Sequence, residues 1–583
     1  MSIPTPARAF AIVLAVLLVF TSCARIPTTG PVQQVGPSPS SRPTVGIDID
    51  AQPPVPGADP DLVLAGFLAA MSTFEPDYAS ARLYLTPEAA KIWDPDAGTT
   101  IYQSEGTRPI ISPTSASLNV PLVGRLDAAG RYTPAQDRLL LDFGMQHVGG
   151  EWRISQPPTG LLIAKYVFDR YYVPLKVAFL AADGSRFAHE QVYLHRDALT
   201  PTTAVKALLA GPSPWLAPAV TTAVPGDTRL SANAVTVTDG IAEVSLTEQV
   251  ASLTEQQRSQ LAAQLVATLE QFDQVRGVRV LTNGQPLPVR GQGSDGVVTR
   301  AMFSGFDLLD GQTDAPVHVA AGGRLGVVDN GQVVHLQGVF GQPNWGGVPG
   351  TFAVQRNGGM IGVVNDKSTA LYVAARDATR LTATVAGTRL VRPQVRDDGS
   401  VWTIDHAGGV PTLVSVSVTG TVGRHPIGEL RGRTVVSFRI SPDGTRIALL
   451  LANGQGTDFG LVRLRGTDRV TVDGWRKVAV NSSSGPLGSA RDVVWADPES
   501  VQLLAAVNSS GAFNIYLVRA DGAVVENLGP IGASGAPVAL SAFPRRQGMT
   551  SVYLADSGAV FRFEGAYRWQ RFVTDVTAVA LPG

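Results

Sequence analysis

The chain has 583 residues, 44% of them apolar and 16% charged, and its net charge is near −1 at pH 7. That length suggests two to four domains, and the neutral balance excludes the basic footprint of a nucleic-acid binder. The 61 glycines and 41 prolines point away from a helical protein and toward a turn-rich β protein.

Residues 1–22 read as a secretory signal peptide: Arg8 gives the positive end, Ala9–Phe20 give twelve apolar residues, and Thr21 and Ser22 give a small neck. A bilayer span needs roughly 20 apolar residues, so the run is short for an uncleaved anchor. Cys23 follows at once and is the only cysteine in the chain. This segment resembles the bacterial lipoprotein box, in which a thiol behind small residues attacks a lipid donor and becomes the new N-terminus. Phe20 stands where that box usually has Leu. The resemblance makes Cys23 the expected lipid attachment site (S-diacylglycerol and N-acyl), and the membrane lipid anchor the first expected partner. With no second thiol no disulfide can form, and stability must come from packing. Residues 23–58 read as the lipidated N-terminus and a disordered Pro/Ser/Thr-rich tether, with Asp48 and Asp50 solvated. At about 3.1 Å per residue the extended tether reaches about 100 Å.

A first α+β domain is expected over 59–163. Asp59, Pro60 and Asp61 start a helix running to Met71, and further helices are expected over 78–85 and 86–93. Strands follow at 116–123, 139–148 and 152–154. The phrase Gly149-Gly150-Glu151-Trp152-Arg153-Ile154-Ser155 resembles the G-x-W-R-I hairpin of cone-shaped NTF2-like domains.

A second α+β domain is expected over 164–295. Strands at 173–180 and 190–194 precede a helix at 202–211 that Gly211-Pro212 stops. The strands 234–237 and 241–246 are joined by Asp239-Gly240. Thr254 and Gln257 form a capping-box pattern before a helix with Leu261, Leu265, Leu269 and Phe272 on one face. A strand at 278–281 and the turn Asn283-Gly284 complete the unit. Ala207-Leu-Leu-Ala-Gly-Pro212, Val224-Pro-Gly-Asp-Thr-Arg-Leu230 and Asp239-Gly-Ile-Ala-Glu-Val-Ser-Leu246 occur in the order that resembles the GerMN domain of spore-germination and envelope lipoproteins.

Residues 296–583 show only short strands and turns. Asn357-Gly-Gly359, Asp397-Asp-Gly-Ser400, Ser441-Pro-Asp-Gly444, Asp497-Pro-Glu-Ser500 and Arg545-Arg-Gln-Gly548 recur every 40 to 56 residues, the spacing of propeller blades. The expected fold is therefore multidomain: two small α+β domains (NTF2-like, GerMN) followed by an all-β propeller of six or seven blades. Two consecutive β-sandwiches are the alternative for this last part.

Gly291-Gln-Gly-Ser-Asp-Gly296 satisfies G-x-G-x-x-G, but Pro286 and Pro288 precede it where a dinucleotide fold needs a strand, so it reads as a linker. His147, His189, His195, His318, His335, His406 and His425 are scattered; His189 and His195 alone could share a strand face. Asp397-Asp-Gly-Ser400 lacks the distal glutamate of a calcium loop and reads as a turn. These patterns imply a chain that is not an enzyme and uses no cofactor or metal. Trp93, Trp152, Trp215, Trp345, Trp402 and Trp475 could stack on sugars if their faces were open.

Lipoprotein box, tether, α+β domain, GerMN-like domain and propeller, in that order, resemble the LpqB lipoprotein family of actinobacteria across essentially the whole chain. The resemblance implies a lipid-anchored protein on the extracytoplasmic face of the cell membrane. It also implies an accessory of the MtrA–MtrB two-component system acting on the extracellular domain of the sensor histidine kinase MtrB, in envelope homeostasis and division. A cell-wall polymer such as peptidoglycan is the alternative partner, and a propeller hydrolase is the third reading.

Overall fold

The structure, a computed structural model, describes residues 51–105, 109–112, 115–306, 315–466, 469–507, 511–529, 536–544, 549–565 and 567–583. Cys23, the leader, the tether up to residue 50 (Asp48 and Asp50 included) and the Arg545–Gly548 phrase lie outside the described residues.

The first domain opens with α1 (Pro60–Met71), which has Asp59 at its N-cap, Pro60 in its first turn and Val63, Leu64, Phe67, Ala70 and Met71 buried. Gly66 is required there, because a Cβ would come 2.4 Å from the Tyr84 hydroxyl. The helix expected over 78–85 is a single turn, α2 (Ala79–Arg82). Asp77 and Tyr78 just before it hold φ of 54° and 49°, a left-handed geometry no helix can include. Thr86 accepts a hydrogen bond from the Ala89 amide to cap α3 (Pro87–Ile92).

A six-stranded sheet follows: β1 (Thr99–Tyr102), β2 (Ile110–Ser112), β3 (Ser115–Leu126), β4 (Tyr132–Pro134), β5 (Arg138–Asp142) and, after a separate hairpin, β8 (Leu161–Ala164). The long strand β3 pairs with β1, β2, β4 and β5, and β8 runs parallel to β1. The strand expected over 139–148 is cut by Gly144, at φ 51°, into β5 and β6 (Met145–Val148). The hairpin partner β7 (Glu151–Ile154) returns through Gly149 and Gly150, both at positive φ.

The core of this domain takes in α4 (Lys165–Tyr171) through Val167 and Phe168, so it extends past residue 163. It also captures the end of the tether. Ala58 is buried in it, and the Tyr84 hydroxyl donates to the Gln52 carbonyl at 2.9 Å. The described residues 51–58 are therefore docked rather than disordered, because a nearly buried phenol needs an acceptor.

The second domain contains a three-stranded sheet, β9 (Tyr172–Ala181), β10 (Phe187–His195) and β11 (Val220–Thr221), and a five-stranded one. The latter holds β12 (Thr236–Thr238), β13 (Ile241–Leu246), β14 (Gly277–Thr282), β15 (Gln285–Pro286) and β16 (Val297–Val298). Capping boxes start both helices, Thr200 with Thr203 for α5 (Pro201–Leu209) and Thr254 with Gln257 for α6 (Glu255–Leu269). Gln264 is fully buried mid-helix in α6, where its Nε2 donates to Ala178 O of β9 at 2.9 Å and its Oε1 accepts from the Ala223 amide at 2.8 Å. Both polar ends are satisfied, so burial costs little. Val298 and Phe303 belong to the same core, which thus continues beyond residue 295.

The rest forms six four-stranded antiparallel sheets among the described residues. Their second strands are buried almost throughout, as in Val401–Asp405 and Ser500–Ala506, and read as short apolar runs, whereas outer strands such as Val422–Pro426 are exposed or alternate. Each described turn phrase joins the first two strands of a sheet: 355–359, 396–400, 441–445 and 498–499. Each unit has four strands paired in chain order, except the sheet that the chain's last strand completes. Ala578–Ala580 pairs with His318–Ala321 and completes the sheet that residues 318–335 begin, so the chain's last strand closes the ring on its first sheet.

Candidate interdomain and recognition site

Strand β10 and the segment after α5 carry side chains from the second domain onto the ring. Trp215 Nε1 donates to Gly474 O at 2.8 Å, and Arg463 Nη1 returns a hydrogen bond to Trp215 O at 3.0 Å. The Arg476 guanidinium sits 4.4 Å from the indole centroid, a cation–π distance. His189 Nδ1 lies 3.1 Å and Lys176 Nζ 3.3 Å from the two oxygens of Glu499. Tyr193 OH donates to Asp521 Oδ2 at 2.9 Å. The first domain joins through Arg131, whose Nη2 donates to Gly211 O at 2.7 Å while Nε lies 3.6 Å from Glu190. Ala523, from the ring, is buried in the first domain's core. Between the three bodies lies a cavity of about 300 Å³ lined by Arg131, Tyr132, Glu190, Trp215, Arg476 and Asp521.

The electrostatics follow from burial. Glu499 is 4% exposed; burial alone would raise its pKa, but the contacts from His189 and Lys176 outweigh it and hold the group below the usual carboxylate range. Its neighbour Asp497 moves the other way, pushed up to about 6 by its own burial and then by the charge on Glu499. Asp521 is raised, chiefly by burial, and the Tyr193 hydroxyl is raised for the same reason. Glu499 and Asp521 hold domains together, each engaged by a partner from the second domain, while Asp497 keeps to its own turn, accepting from the Glu499 amide.

The histidines are not brought together. His195 stacks between Phe74 and Tyr171, at 5.0 and 5.7 Å, far along β10 from His189. His147 packs on Trp152, His425 on Trp402, and His406 bridges Arg389 O and the Val435 amide. His318 is buried in the closing sheet, and His335 lies on its outer strand. Among the described residues no three His, Cys, Asp or Glu groups are placed to hold a metal. Asp398 caps its own turn through Ser400, and Asp397 pairs with Arg186 at 3.3 Å. The Gly291–Gly296 phrase is a loop between β15 and β16.

Three of the six tryptophans offer no open face for a sugar. Trp93, Trp345 and Trp402 are buried, with indole hydrogens spent on Gly160 O, Gly323 O and Ser400 Oγ; Trp152, Trp215 and Trp475 are half-buried. Exposed apolar side chains lie elsewhere. Among the described residues every exposed Leu, Ile and Phe is in the first domain: Leu62, Phe74, Leu83, Ile92, Ile110, Ile111 and Leu140. Ile110 opposes Ser117 and Leu140 opposes Asn119 on β3, which puts both on one face of the sheet.

Three family descriptions match in the order of these bodies: "Lipoprotein LpqB, N-terminal domain" over residues 53–169, "Sporulation and spore germination" over 176–288, and "Lipoprotein LpqB beta-propeller domain" over 323–582. The lipoprotein LpqB of Cutibacterium acnes is 30% identical over 588 residues, spanning 98% of both chains. The chain belongs to the LpqB lipoprotein family. Another LpqB, from Thermobifida fusca, is 27% identical and covers 87% of this chain and 88% of its own. Among solved structures, TolB from Acinetobacter baumannii covers 60% of this chain and 89% of its own, with 13% identity and a TM-score of 0.35. For the LpqB family the ring corresponds to the β-propeller domain and the second domain to the GerMN domain.

Proposed function

We propose that this LpqB-family chain is an extracytoplasmic lipoprotein, anchored in the cell membrane through Cys23, that acts without catalysis as an accessory of the MtrA–MtrB two-component system. Its role is to bind the extracellular domain of the sensor kinase MtrB, in envelope homeostasis and division. The observation that carries this reading is the confinement of exposed Leu, Ile and Phe to the first domain. Exposed Leu, Ile and Phe side chains gathered on one body mark a protein-binding surface, whereas the exposed large apolar residues of the ring are Val and Tyr, such as Val334, Val422 and Tyr567. This domain also follows the tether directly in sequence, within reach of a membrane neighbour. The contacts of Arg131 with Gly211 and Glu190 support the same reading, since they join that surface to a body that the clamps at Trp215, Glu499 and Asp521 hold to the ring.

The test is photo-crosslinking in intact cells from a probe amino acid at Leu140 or Ile92, with Val524 on the ring as control. Recovery of MtrB from the first two positions alone supports the proposal. Recovery of wall polymer alone would transfer the assignment to an envelope glycan, for which the buried tryptophans give little support.

A further inference from the structure

The innermost strands of the ring enclose a second cavity, of about 70 Å³. This is several times the roughly 10–15 Å³ that one water needs, and enough for a single tetrahedral oxyanion. Five arginines line it: Arg356, Arg392, Arg396 and Arg439 from the ring, and Arg186 from the β9–β10 turn of the GerMN domain. Against them stand two carboxylates, Asp397 at the wall and Asp492 behind it. Gly583 lines the same mouth, and a free carboxylate there would add a third negative charge, still short of the five positive ones.

The two carboxylates already present are engaged by other groups. Asp492 takes Arg392 Nη1 at 3.0 Å, Ser437 Oγ at 2.6 Å and the Leu540 amide at 2.9 Å. Arg392 spends its remaining reach on Leu540 O and Val579 O. Asp397 lies 3.3 Å from Arg186 and 3.8 Å from Arg356 Nε. Arg439 is left over. It is 6% exposed; its Nη1 donates to the Phe438 carbonyl, and its Nη2 has no hydrogen-bond partner. Arg356 Nη1 has none either. Burial, and then the neighbouring charge of Arg392, bring the Arg439 pKa down to about 9, so the guanidinium remains protonated at neutral pH.

A buried cation with an unmatched donor is costly unless an anion completes it. Water can accept the hydrogen bond but cannot neutralise the charge. A planar fork facing a pocket of oxyanion size matches the geometry by which arginine holds phosphate.

We propose that the axial cavity of the ring binds a free oxyanion of phosphate size, with Arg439 and Arg356 as the donors that meet it. The site is built from the inner ends of three ring sheets, which supply Arg356, Arg392 with Arg396, and Arg439, and from a turn of the GerMN domain that supplies Arg186. It is independent of the kinase reading above.

The test is titration of the full-length lipidated protein, in detergent micelles, with inorganic phosphate at constant ionic strength, read by calorimetry and by thermal unfolding. A parallel titration uses acetate. Saturable phosphate binding is expected, weakened at least tenfold in Arg439→Met and in Arg356→Met. Arg439→Met is expected to fold with an unfolding temperature equal to or above that of the parent without phosphate, since it removes an uncompensated charge. If Arg439→Met fails to fold, Arg356→Met, from a different sheet, gives the same readout. Acetate binding as tight as phosphate would show a site for any carboxylate and overturn the assignment. So would no saturable binding, or equal binding by parent and both variants.

Discussion

Trp215 of the GerMN domain lies with its ring under the Arg476 guanidinium, 4.4 Å away, and its indole hydrogen on the Gly474 carbonyl two residues earlier in the same ring strand. One side chain thus both offers its π face to a buried cation and satisfies a strand-edge acceptor. Burial already lowers the Arg476 pKa, so this guanidinium depends on the neighbours it has.

Trp215→Ala should therefore cost more than its buried area. The indole hydrogen bond, the cation–π contact and the packing disappear together, and a loss of about 2–4 kcal/mol follows. Calorimetry should show the parent's cooperative transition split, with the GerMN domain losing amide-exchange protection before the ring. An unchanged single transition would mean the clamps at Glu499 and Asp521 suffice.

Asp497 and Glu499 make an opposed pair whose signs can be separated. Asp497 has its folded pKa raised from 3.8 to about 6. The native state then binds the extra proton between those limits, and the stability it confers at low pH is lost as pH rises through 6. Glu499 is lowered, so its contribution is present above the ordinary glutamate range and is lost as pH falls below it. Asp497→Asn imitates the protonated acid and can still accept from the Glu499 amide, as Oδ1 does at 2.8 Å. The variant should be more stable than the parent at pH 7 and indistinguishable near pH 4, by urea denaturation at both values.

Cys23→Ala should yield a full-length precursor that keeps its leader and carries no fatty acid. Labelled palmitate in intact cells checks this directly; incorporation into the variant would refute the lipid assignment.

The order of domains, the capping boxes and the turn phrases were legible because they depend on local chemistry: Thr254 with Gln257, or Asp239-Gly240 at φ of 53° and 83°. The family resemblance was legible for the same reason, through phrases such as Gly149–Ser155. What sequence could not supply was partnership across distance. Glu499 looked like part of a turn, and only the fold sets it against His189, 310 positions earlier. Trp215 looked like a sugar platform until its indole hydrogen was found spent on Gly474. The arginines of the axial cavity had a signal, since Arg356 and Arg396 each directly precede a recurring turn phrase. It means little until those strands are known to line the axis. The docked segment 51–58 was missed because its anchors are a backbone carbonyl at Gln52 and a small Ala58, neither of which has a compositional signature.

His318 makes ring closure sensitive to acid. It is 1% exposed and pairs across to Ala580 in the closing strand, with Nδ1 3.1 Å from Pro316 O and Nε2 without a hydrogen-bond partner. Burial lowers its pKa from 6.5 to about 4; the Pro316 carbonyl pulls the other way, and the Arg376 charge adds a smaller downward push. The folded ring therefore holds the imidazole neutral while the unfolded chain takes up a proton. Stability is complete above pH 6.5 and falls as pH drops toward 4, by about 3 kcal/mol from this group. His318→Leu removes that slope and forfeits only the Pro316 hydrogen bond, worth about 1 kcal/mol at neutral pH. Unfolding free energies measured from pH 7 to 4 should run flatter for the variant by that amount; equal slopes in the two proteins would place the acid sensitivity elsewhere.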